Sequence, residues 1–143
     1  TTKLNTPGPK LGLLPGVSAL TDVTGFGLLG HLLEICRGSG AAARVDWDAL
    51  PLLPGALELA GEGFVTGASK RNFAGYGERT SLGERIGEAG KAILTDPQTS
   101  GGLLVACEPG SVAEVLALFR AEGFEHAAEI GSIEAGEARV RVE

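Results

Sequence analysis

The chain is poor in the residues on which thiol, imidazole and zinc chemistry depends. Its 143 residues include two cysteines, two histidines and no methionine. Cys36 and Cys107 form no C-x-x-C pair, which indicates neither a disulfide framework nor a zinc site, and we expect both to be small buried hydrophobic residues. His31 and His126 have no serine or cysteine placed to form a nucleophile pair, so we expect each to be solvated or to cap a turn.

Basic residues and long apolar runs are also scarce. Twelve lysines and arginines stand against 18 acidic residues, which gives a formal net charge of −6. Only Lys70 and Arg71 are adjacent, so no basic face could follow a nucleic-acid backbone, and this pair is expected to be solvated in a loop. No apolar run reaches the roughly 20 residues that cross a bilayer, and the first residues lack a secretory apolar core. We therefore expect a cytoplasmic protein that binds neither nucleic acid nor membrane.

The apolar content is nevertheless sufficient for one folded domain. Hydrophobic residues make up 43% of the sequence and charged residues 21%, which allows a chain of this length to bury a core. Residues 1–16 contain Pro-Gly turns without helical or strand periodicity, so we expect a linker or a trimmed lead-in there. The single domain is expected over residues 17–143.

The hydrophobic pattern predicts an α+β fold in which a mixed β-sheet packs with helices. Ser111 and Glu114 form the pattern of a capping box and mark the start of one helix. The elements follow the order β-α-β-α-β-β-α-β-β, and a further short helix over 82–90 is weakened by its glycines. Strands are predicted over 17–23, 42–47, 92–95, 103–107, 128–133 and 138–142, helices over 28–36, 54–60 and 111–122, and a glycine-rich loop over 61–77.

Residues 21–31 read T-D-V-T-G-F-G-L-L-G-H and join the first predicted strand to the first helix. Gly25 and Gly27 permit backbone angles closed to other residues, and the free N–H groups at the helix start attract phosphate. Asp22 would repel that phosphate unless a cation lay between them, which suggests Mg²⁺ held by this carboxylate and by phosphate oxygens. The alternative is that Asp22 merely satisfies local amides as an Asx-turn or N-cap residue.

The same glycines allow a second interpretation. Gly25, Gly27 and Gly30 spell G-x-G-x-x-G after a strand, with Asp46 further on, which is the dinucleotide-binding fingerprint of a Rossmann-type domain. The chain has 23 glycines, and at that abundance roughly 0.6 such matches are expected by accident. The motif therefore depends on its strand and helix setting.

A second loop, D-P-Q-T-S-G-G at 96–102, carries three polar side chains on one turn. Gln98, Thr99 and Ser100 could line a pocket, and the glycine pair lets a ligand or another backbone approach. The alternative is an ordinary Asp-Pro turn whose side chains satisfy their own backbone.

The first motif, together with D-P-Q-T-S-G-G-L-L at 96–104, resembles the selenophosphate synthetase (selenide, water dikinase) family. A weaker similarity lies at G-x-x-K-R-N over 67–72. The resemblance runs from about residue 17 to the end and covers the C-terminal half of that enzyme. It implies the C-terminal α+β domain of the aminoimidazole ribonucleotide synthetase superfamily, whose members pair it with an N-terminal, dimerising, ATP-binding domain and hold ATP between the two.

The resemblance also implies roles for particular residues. Asp22 matches a Mg²⁺ ligand that acts with Asp residues of the N-terminal domain. The family converts ATP, selenide and water to selenophosphate, AMP and phosphate as a homodimer, and its reactive Cys or selenocysteine and its Lys lie in an N-terminal segment. No catalytic residue is therefore expected in this chain, which alone should be inactive; a non-catalytic structural module remains an alternative. The residues expected near the nucleotide and its phosphates are Gly25, Phe26, Gly27, Asn72, Thr99 and Ser100.

Overall fold

The computed structural model describes residues 3–143, and it contains two β-sheets with helices packed against them. The strands β1 and β4 form an antiparallel pair, and a four-stranded sheet has the order β3-β6-β2-β5. Strand β6 runs parallel to β2 and to β3, whereas β5 runs antiparallel to β2. The α+β prediction is confirmed. The helices are α1 (Gly8–Leu11), α2 (Gly27–Ser39), α3 (Ala56–Gly61), α4 (Gly67–Tyr76), α5 (Gly87–Thr95) and α6 (Val112–Ala121), and the strands are β1 (Val17–Asp22), β2 (Ala41–Val45), β3 (Thr80–Leu82), β4 (Leu103–Cys107), β5 (Gly131–Ala135) and β6 (Val140–Val142).

The main core lies where α2 packs on the four-stranded sheet and against α5. Helix α2 repeats apolar residues at helical spacing, and Leu29 and Leu33 are fully buried on its inner face. Val140 and Val142 of β6 alternate with the exposed Arg141, as expected of a strand with one buried face. Burying each such leucine or valine contributes about 1.5–3 kcal/mol. The core holds the start of α2 in place, next to the first motif.

Residues 8–11 form the helix α1, so the expectation that the segment before residue 17 lacks helical structure is wrong there. Pro7 precedes the one-turn helix α1 with φ −67°, the angle to which its ring restricts it. Leu11 is fully buried and belongs to a second apolar cluster with Val115 and Phe119 of α6. The apolar contact therefore fixes a segment that its composition alone predicted to be loose; the domain limit at residue 17 stays a prediction.

Two further predictions are wrong in segments where helices contain glycines. The predicted loop over 61–77 contains α4, which starts where the Thr66 hydroxyl accepts a hydrogen bond of 3.1 Å from the Ser69 N–H. The predicted strand 92–95 is the end of α5, which extends beyond the short helix expected over 82–90. A Cβ on Gly90 would lie 2.7 Å from Ile86 and 3.1 Å from the Trp47 ring. Close helix packing therefore requires a residue that usually weakens a helix.

The remaining elements confirm the predicted pattern with local differences. β1, α2, β2, β4 and α6 lie within about two residues of their predicted limits. No side-chain cap forms at Ser111, so the predicted capping box is absent. The last two strands do not pair as a hairpin, since each pairs with β2 from opposite sides. Within residues 3–143, no helix combines the length and apolar character needed to span a bilayer.

Candidate functional site

The first motif forms an exposed turn between β1 and α2. Asp22 ends β1, and its side chain is exposed. Within residues 3–143 no hydrogen bond or ion pair engages its carboxylate, so Asp22 does not act as the local cap that was considered. Val23 is buried, and the helix begins at Gly27 without a side-chain cap. A free carboxylate therefore stands beside an uncapped helix start.

The glycines of the turn differ in whether the fold has room for a Cβ atom at their position. Gly27 has φ +68°, and a Cβ there would lie 2.7 Å from the Thr95 carbonyl carbon. Gly30 is pressed between Phe26 and Tyr76, with a hypothetical Cβ 2.5 Å and 3.0 Å from them. Gly25 has no positive φ and no atom within 4 Å of a Cβ. The expectation that Gly25 needs glycine-only angles is wrong, and the space beside it is open.

Helix α4 holds the turn with two side chains. The Asn72 amide donates to the Gly25 carbonyl at 2.8 Å and to the Thr95 carbonyl at 3.0 Å, which uses both of its N–H groups. The Tyr76 hydroxyl donates to the Phe26 carbonyl at 2.6 Å. Burial, opposed by a smaller effect of the Gly30 N–H, raises the pKa of Tyr76 to about 12. The hydroxyl therefore stays protonated at neutral pH and keeps its role as donor.

The second loop lies directly against the turn. The Val23 N–H donates to the Gly102 carbonyl at 2.9 Å, and the Gln98 N–H donates to the Thr24 carbonyl at 3.0 Å. Thr99 and Ser100 are exposed beside these contacts. The two motifs thus form one continuous surface, as their joint occurrence predicted.

Asp96 has a structural role within this loop. Its Oδ1 accepts hydrogen bonds from the hydroxyls of Thr66 at 3.3 Å and Ser69 at 3.2 Å. The carboxylate therefore ties the loop to the start of α4. Asp22 is left as the free carboxylate of the two motifs.

His31 is buried, so the expectation of a solvated histidine is wrong. Its Nε2 lies 3.1 Å from the Thr24 hydroxyl oxygen, and its Nδ1 lies 3.3 Å from a carboxylate oxygen of Glu34. The Phe26 ring stands with its centroid 5.7 Å from that of His31. Thr24 and His31 are seven residues apart, and His31 and Glu34 have the i,i+3 spacing of helical neighbours. The i,i+3 spacing of His31 and Glu34 is the signal in the sequence that indicates a contact between them.

The cysteines carry no reactive chemistry in this structure. Cys36 is fully buried, as expected, and Cys107 is partly buried. Desolvation raises the pKa of both thiols, and Glu129 raises that of Cys107 further. Both stay protonated at neutral pH, and a thiol is a poor nucleophile.

The site is open and incomplete as a metal centre. Within the described residues no group of three or more His, Cys, Asp or Glu side chains could hold a metal ion. Two concavities of the domain are lined by residues of β2, β5, β6 and their neighbours, and neither includes the turn or the second loop. Asp22 is a hard oxygen donor suited to Mg²⁺, but one carboxylate needs further ligands from outside residues 3–143.

The dinucleotide-binding alternative is contradicted by the topology. A Rossmann-type motif needs the strand before the glycines to lie in a parallel sheet, whereas β1 pairs antiparallel with β4. Asp46, the expected ribose ligand, accepts a hydrogen bond of 3.1 Å from the Asp48 N–H and starts a short 3₁₀ turn. Gly27 and Gly30 of the motif serve close packing instead.

Comparisons with known proteins agree with this fold and with the two motifs. The chain matches the family model described as "AIR synthase related protein, C-terminal domain" over residues 6–143. It is 60% identical over 142 residues to a selenide, water dikinase of Burkholderia pseudomallei (strain K96243), which covers 99% of this chain and 40% of that protein. A selenide, water dikinase of Dechloromonas aromatica (strain RCB) is 54% identical over 99% of this chain and 41% of its own length. The resemblance carried by the two motifs is thereby confirmed, and the chain spans about 40% of the length of these curated relatives.

Solved structures show the same fold in more distant proteins. E. coli HypE matches with a TM-score of 0.63 and 22% identity, over 98% of this chain and 35% of that chain. The hydrogenase maturation protein HypE in complex with ATP matches with a TM-score of 0.57 and 23% identity, over 92% of this chain and 34% of that chain. At these identities the likeness concerns the fold.

Proposed function

Because the chain belongs to the family of AIR synthase related proteins, as a C-terminal domain, we propose that it supplies one side of a Mg-ATP cleft in a selenide, water dikinase. The full-length protein of this proposal converts selenide, ATP and water to selenophosphate, AMP and phosphate. Support comes from the relatives of that name at 54 and 60% identity. A protein of the same fold, HypE, binds ATP in its solved complex.

The observation that carries the proposal is the free carboxylate of Asp22 beside the uncapped start of α2. An uncapped helix start attracts phosphate through its N–H groups and dipole. A carboxylate at the same place favours a cation, and Mg²⁺ bound to phosphate satisfies both. The local structure therefore matches a metal-bound polyphosphate better than either ion alone.

Different residues of this chain bind different parts of Mg-ATP. Asp22 holds Mg²⁺, which supplies neutralisation of phosphate charge when it is bound. The turn Gly25-Phe26-Gly27 faces the phosphates, because nothing fills the space beside Gly25. Thr99 and Ser100 offer exposed hydroxyls on the adjoining loop. Asn72 acts on the ligand through the turn, since both of its N–H groups are already donated to backbone carbonyls.

The other half of the cleft comes from the N-terminal ATP-binding domain of the full-length protein. That half carries the reactive Cys or selenocysteine and the Lys, so this chain alone does not turn over ATP. We further propose that the full-length protein is a cytoplasmic homodimer without a nucleic-acid partner. The net charge of −6 supports the last point.

The test is Asp22→Asn in the full-length protein, with Asp48→Asn as the matched control. Asp48 is an exposed carboxylate that pairs with Arg85 at 2.7 Å, far along the chain from the turn. We expect Asp22→Asn to lower kcat/KM for ATP about 100-fold, or ~2.7 kcal/mol, and to raise the Mg²⁺ concentration needed for half-maximal rate. Asp48→Asn should leave both values unchanged. Unchanged turnover in Asp22→Asn would favour the non-catalytic structural module instead.

A further inference from the structure

The segment on either side of α3 concentrates the exposed apolar side chains of the molecule. Ten large hydrophobic residues are exposed in the described chain, and six of them lie within residues 52–65. Single exposed apolar residues are normal on a protein surface, but a cluster of this kind marks an interaction site. We call this cluster the α3 apolar surface; it consists of Leu52, Leu53, Leu57, Leu59, Phe64 and Val65.

Local hydrogen bonds bring these side chains together. The Ala56 N–H donates to the Leu53 carbonyl at 3.1 Å, which turns Leu53 onto the start of α3. At the other end the Phe64 N–H donates to the Leu59 carbonyl at 3.0 Å, in a helix end closed by Gly63 at φ +93°. Such an end places Phe64 beside Leu59. Both remain in solvent, with 72% and 51% of their surface exposed.

The opposite side of α3 is already occupied. Ala60 is buried, and α3 packs against α5. The exposed leucines and Phe64 therefore have no part in the core of this domain. Leu57 and Leu59 flank the buried side of α3, and the other four apolar residues stand at its two ends.

The α3 apolar surface adjoins the candidate site. Val65 is followed by Thr66, whose hydroxyl donates to Asp96 at 3.3 Å. Asp96 begins the loop that carries Thr99 and Ser100 and that is bonded to the turn after Asp22. A protein domain bound to this surface would approach the Asp22 carboxylate from the side of the loop 96–102.

We propose that the α3 apolar surface is the docking face for the rest of the full-length protein, the part that supplies the missing Mg²⁺ ligands. This inference rests on the proposed function. This chain spans about 40% of its relatives' length. The rest of the full-length protein is therefore larger than this chain and binds beside the open site. The Mg²⁺ ligands of that part must come close to Asp22. The neighbouring surface that is rich in exposed apolar side chains is the α3 apolar surface.

The charges on this segment favour that occupant over a second copy of this chain. Within residues 51–66 the charged side chains are Glu58 and Glu62, both exposed. A two-fold contact between copies would place four glutamates in one interface, with no basic side chain of residues 51–66 to pair with them. The occupant is therefore an apolar surface with basic groups at its rim.

Hydroxyl-radical footprinting of the nucleotide-free full-length protein tests the proposal. Oxidation of Leu57 and Phe64 should fall at least fivefold from its level in the isolated 143-residue chain. Ile133 on β5 is the internal reference, because its exposure of 44% matches the 41% of Leu57, and its oxidation should not change. Equal oxidation of Leu57 and Phe64 in both proteins overturns the proposal.

Variants extend the test to the contact itself. Leu53→Ser combined with Phe64→Ser should restore oxidation of Leu57 in the full-length protein and leave the melting temperature of the isolated chain unchanged, because both side chains are in water. Leu13→Ser is the control, since Leu13 is 83% exposed and Leu53 79%, and it should leave the protection of Leu57 intact. An equal effect of the control contradicts a specific docking face.

Two outcomes separate this inference from the proposed function. If the isolated chain sediments as a dimer with Leu57 protected, the occupant is a second copy and the inference is wrong. If Asp22→Asn leaves ATP turnover intact while the α3 apolar surface is protected, the docking face stands and the Mg-ATP role fails. The footprint is read without nucleotide, so it does not depend on turnover.

Discussion

The turn after Asp22 and the loop 96–102 lie side by side, yet different groups hold them. The turn is held from outside by side chains, through the hydrogen bonds of Asn72 and Tyr76 to its carbonyls. The loop is bonded to the turn through backbone, by its Gln98 N–H and its Gly102 carbonyl, while its Asp96 side chain ties it to the start of α4. The turn therefore depends on side chains of α4, whereas the contact between turn and loop depends on backbone groups that a side chain at Gly101 would push apart.

The difference shows which glycines matter for folding and which leave room for a ligand. Gly27 and Gly101 are pressed against neighbouring backbone, whereas Gly25 and Gly102 face open space. The sequence shows four glycines in similar motifs. The structure separates them into two pairs, and each glycine that is pressed against backbone has a control in its own motif: Gly102 for Gly101 and Gly25 for Gly27.

The largest expected effect is that of Gly101→Ala. A Cβ at Gly101 would overlap the carbonyl group of Val23, which is backbone and not the end of a flexible side chain that could move away. We expect a loss of about 3 kcal/mol or more in the free energy of unfolding, measured by urea denaturation. Gly102→Ala, with nothing within 4 Å of its Cβ, should change it by less than about 1 kcal/mol. Equal losses in the two variants would show that the loop is not held by close backbone contact.

Gly27→Ala should have the next largest effect. Alanine at φ +68° is strained, and its methyl group would meet the backbone of Thr95 at 2.7 Å. Together these effects should lower stability by about 2–3 kcal/mol, again by urea denaturation. Gly25→Ala should leave stability within about 0.5 kcal/mol but weaken ATP binding by the full-length protein, measured by calorimetry. Normal ATP binding in Gly25→Ala would contradict the placement of phosphate beside this turn.

Tyr76→Phe should have the smallest effect and a distinct pH dependence. Loss of the hydrogen bond to Phe26 should cost about 1 kcal/mol at pH 7. The pKa of Tyr76 is raised from 10.0 to about 12, so the folded state favours the protonated phenol. Its contribution is complete below pH 10 and is lost as the pH rises from 10 to 12.

The measurement is the free energy of unfolding against pH for both proteins. The decline of the parent chain between pH 10 and 12 should be shallower in Tyr76→Phe. Because the chain has a single tyrosine, its ultraviolet ionisation curve reports this hydroxyl directly. A midpoint near pH 10 in the folded chain would show that the hydroxyl is free.

Much of the fold could be predicted from periodicity, and the failures share one cause. β1, α2, β4 and α6 have regular apolar spacing and were predicted close to their observed limits. α4 and the full length of α5 are not predicted because their glycines lower helix propensity, and in α5 close packing requires one of these glycines, Gly90. The pairing of the last two strands with β2 involves partners far apart in the chain, and no local pattern reports it.

The candidate site could be predicted only in outline. The two motifs come together as expected, and Asp22 is exposed and free. The roles of Asn72 and Tyr76 could not be predicted, because their acceptors are backbone carbonyls that leave no mark on the sequence. His31 was misjudged because its partner Thr24 lies seven residues away, across the turn.

The position of β6 has a consequence for how the molecule acquires its structure during synthesis. Residues 140–142 lie between β2 and β3 and join them through parallel pairing, and the Trp47 N–H donates to the Glu143 carbonyl. Until the ribosome has released these residues, β2 and β3 have no common neighbour and the valines of the core have no cover. The nascent chain must therefore hold the apolar faces of α2 and β2 without a finished sheet, and such exposed apolar surface is what chaperones bind.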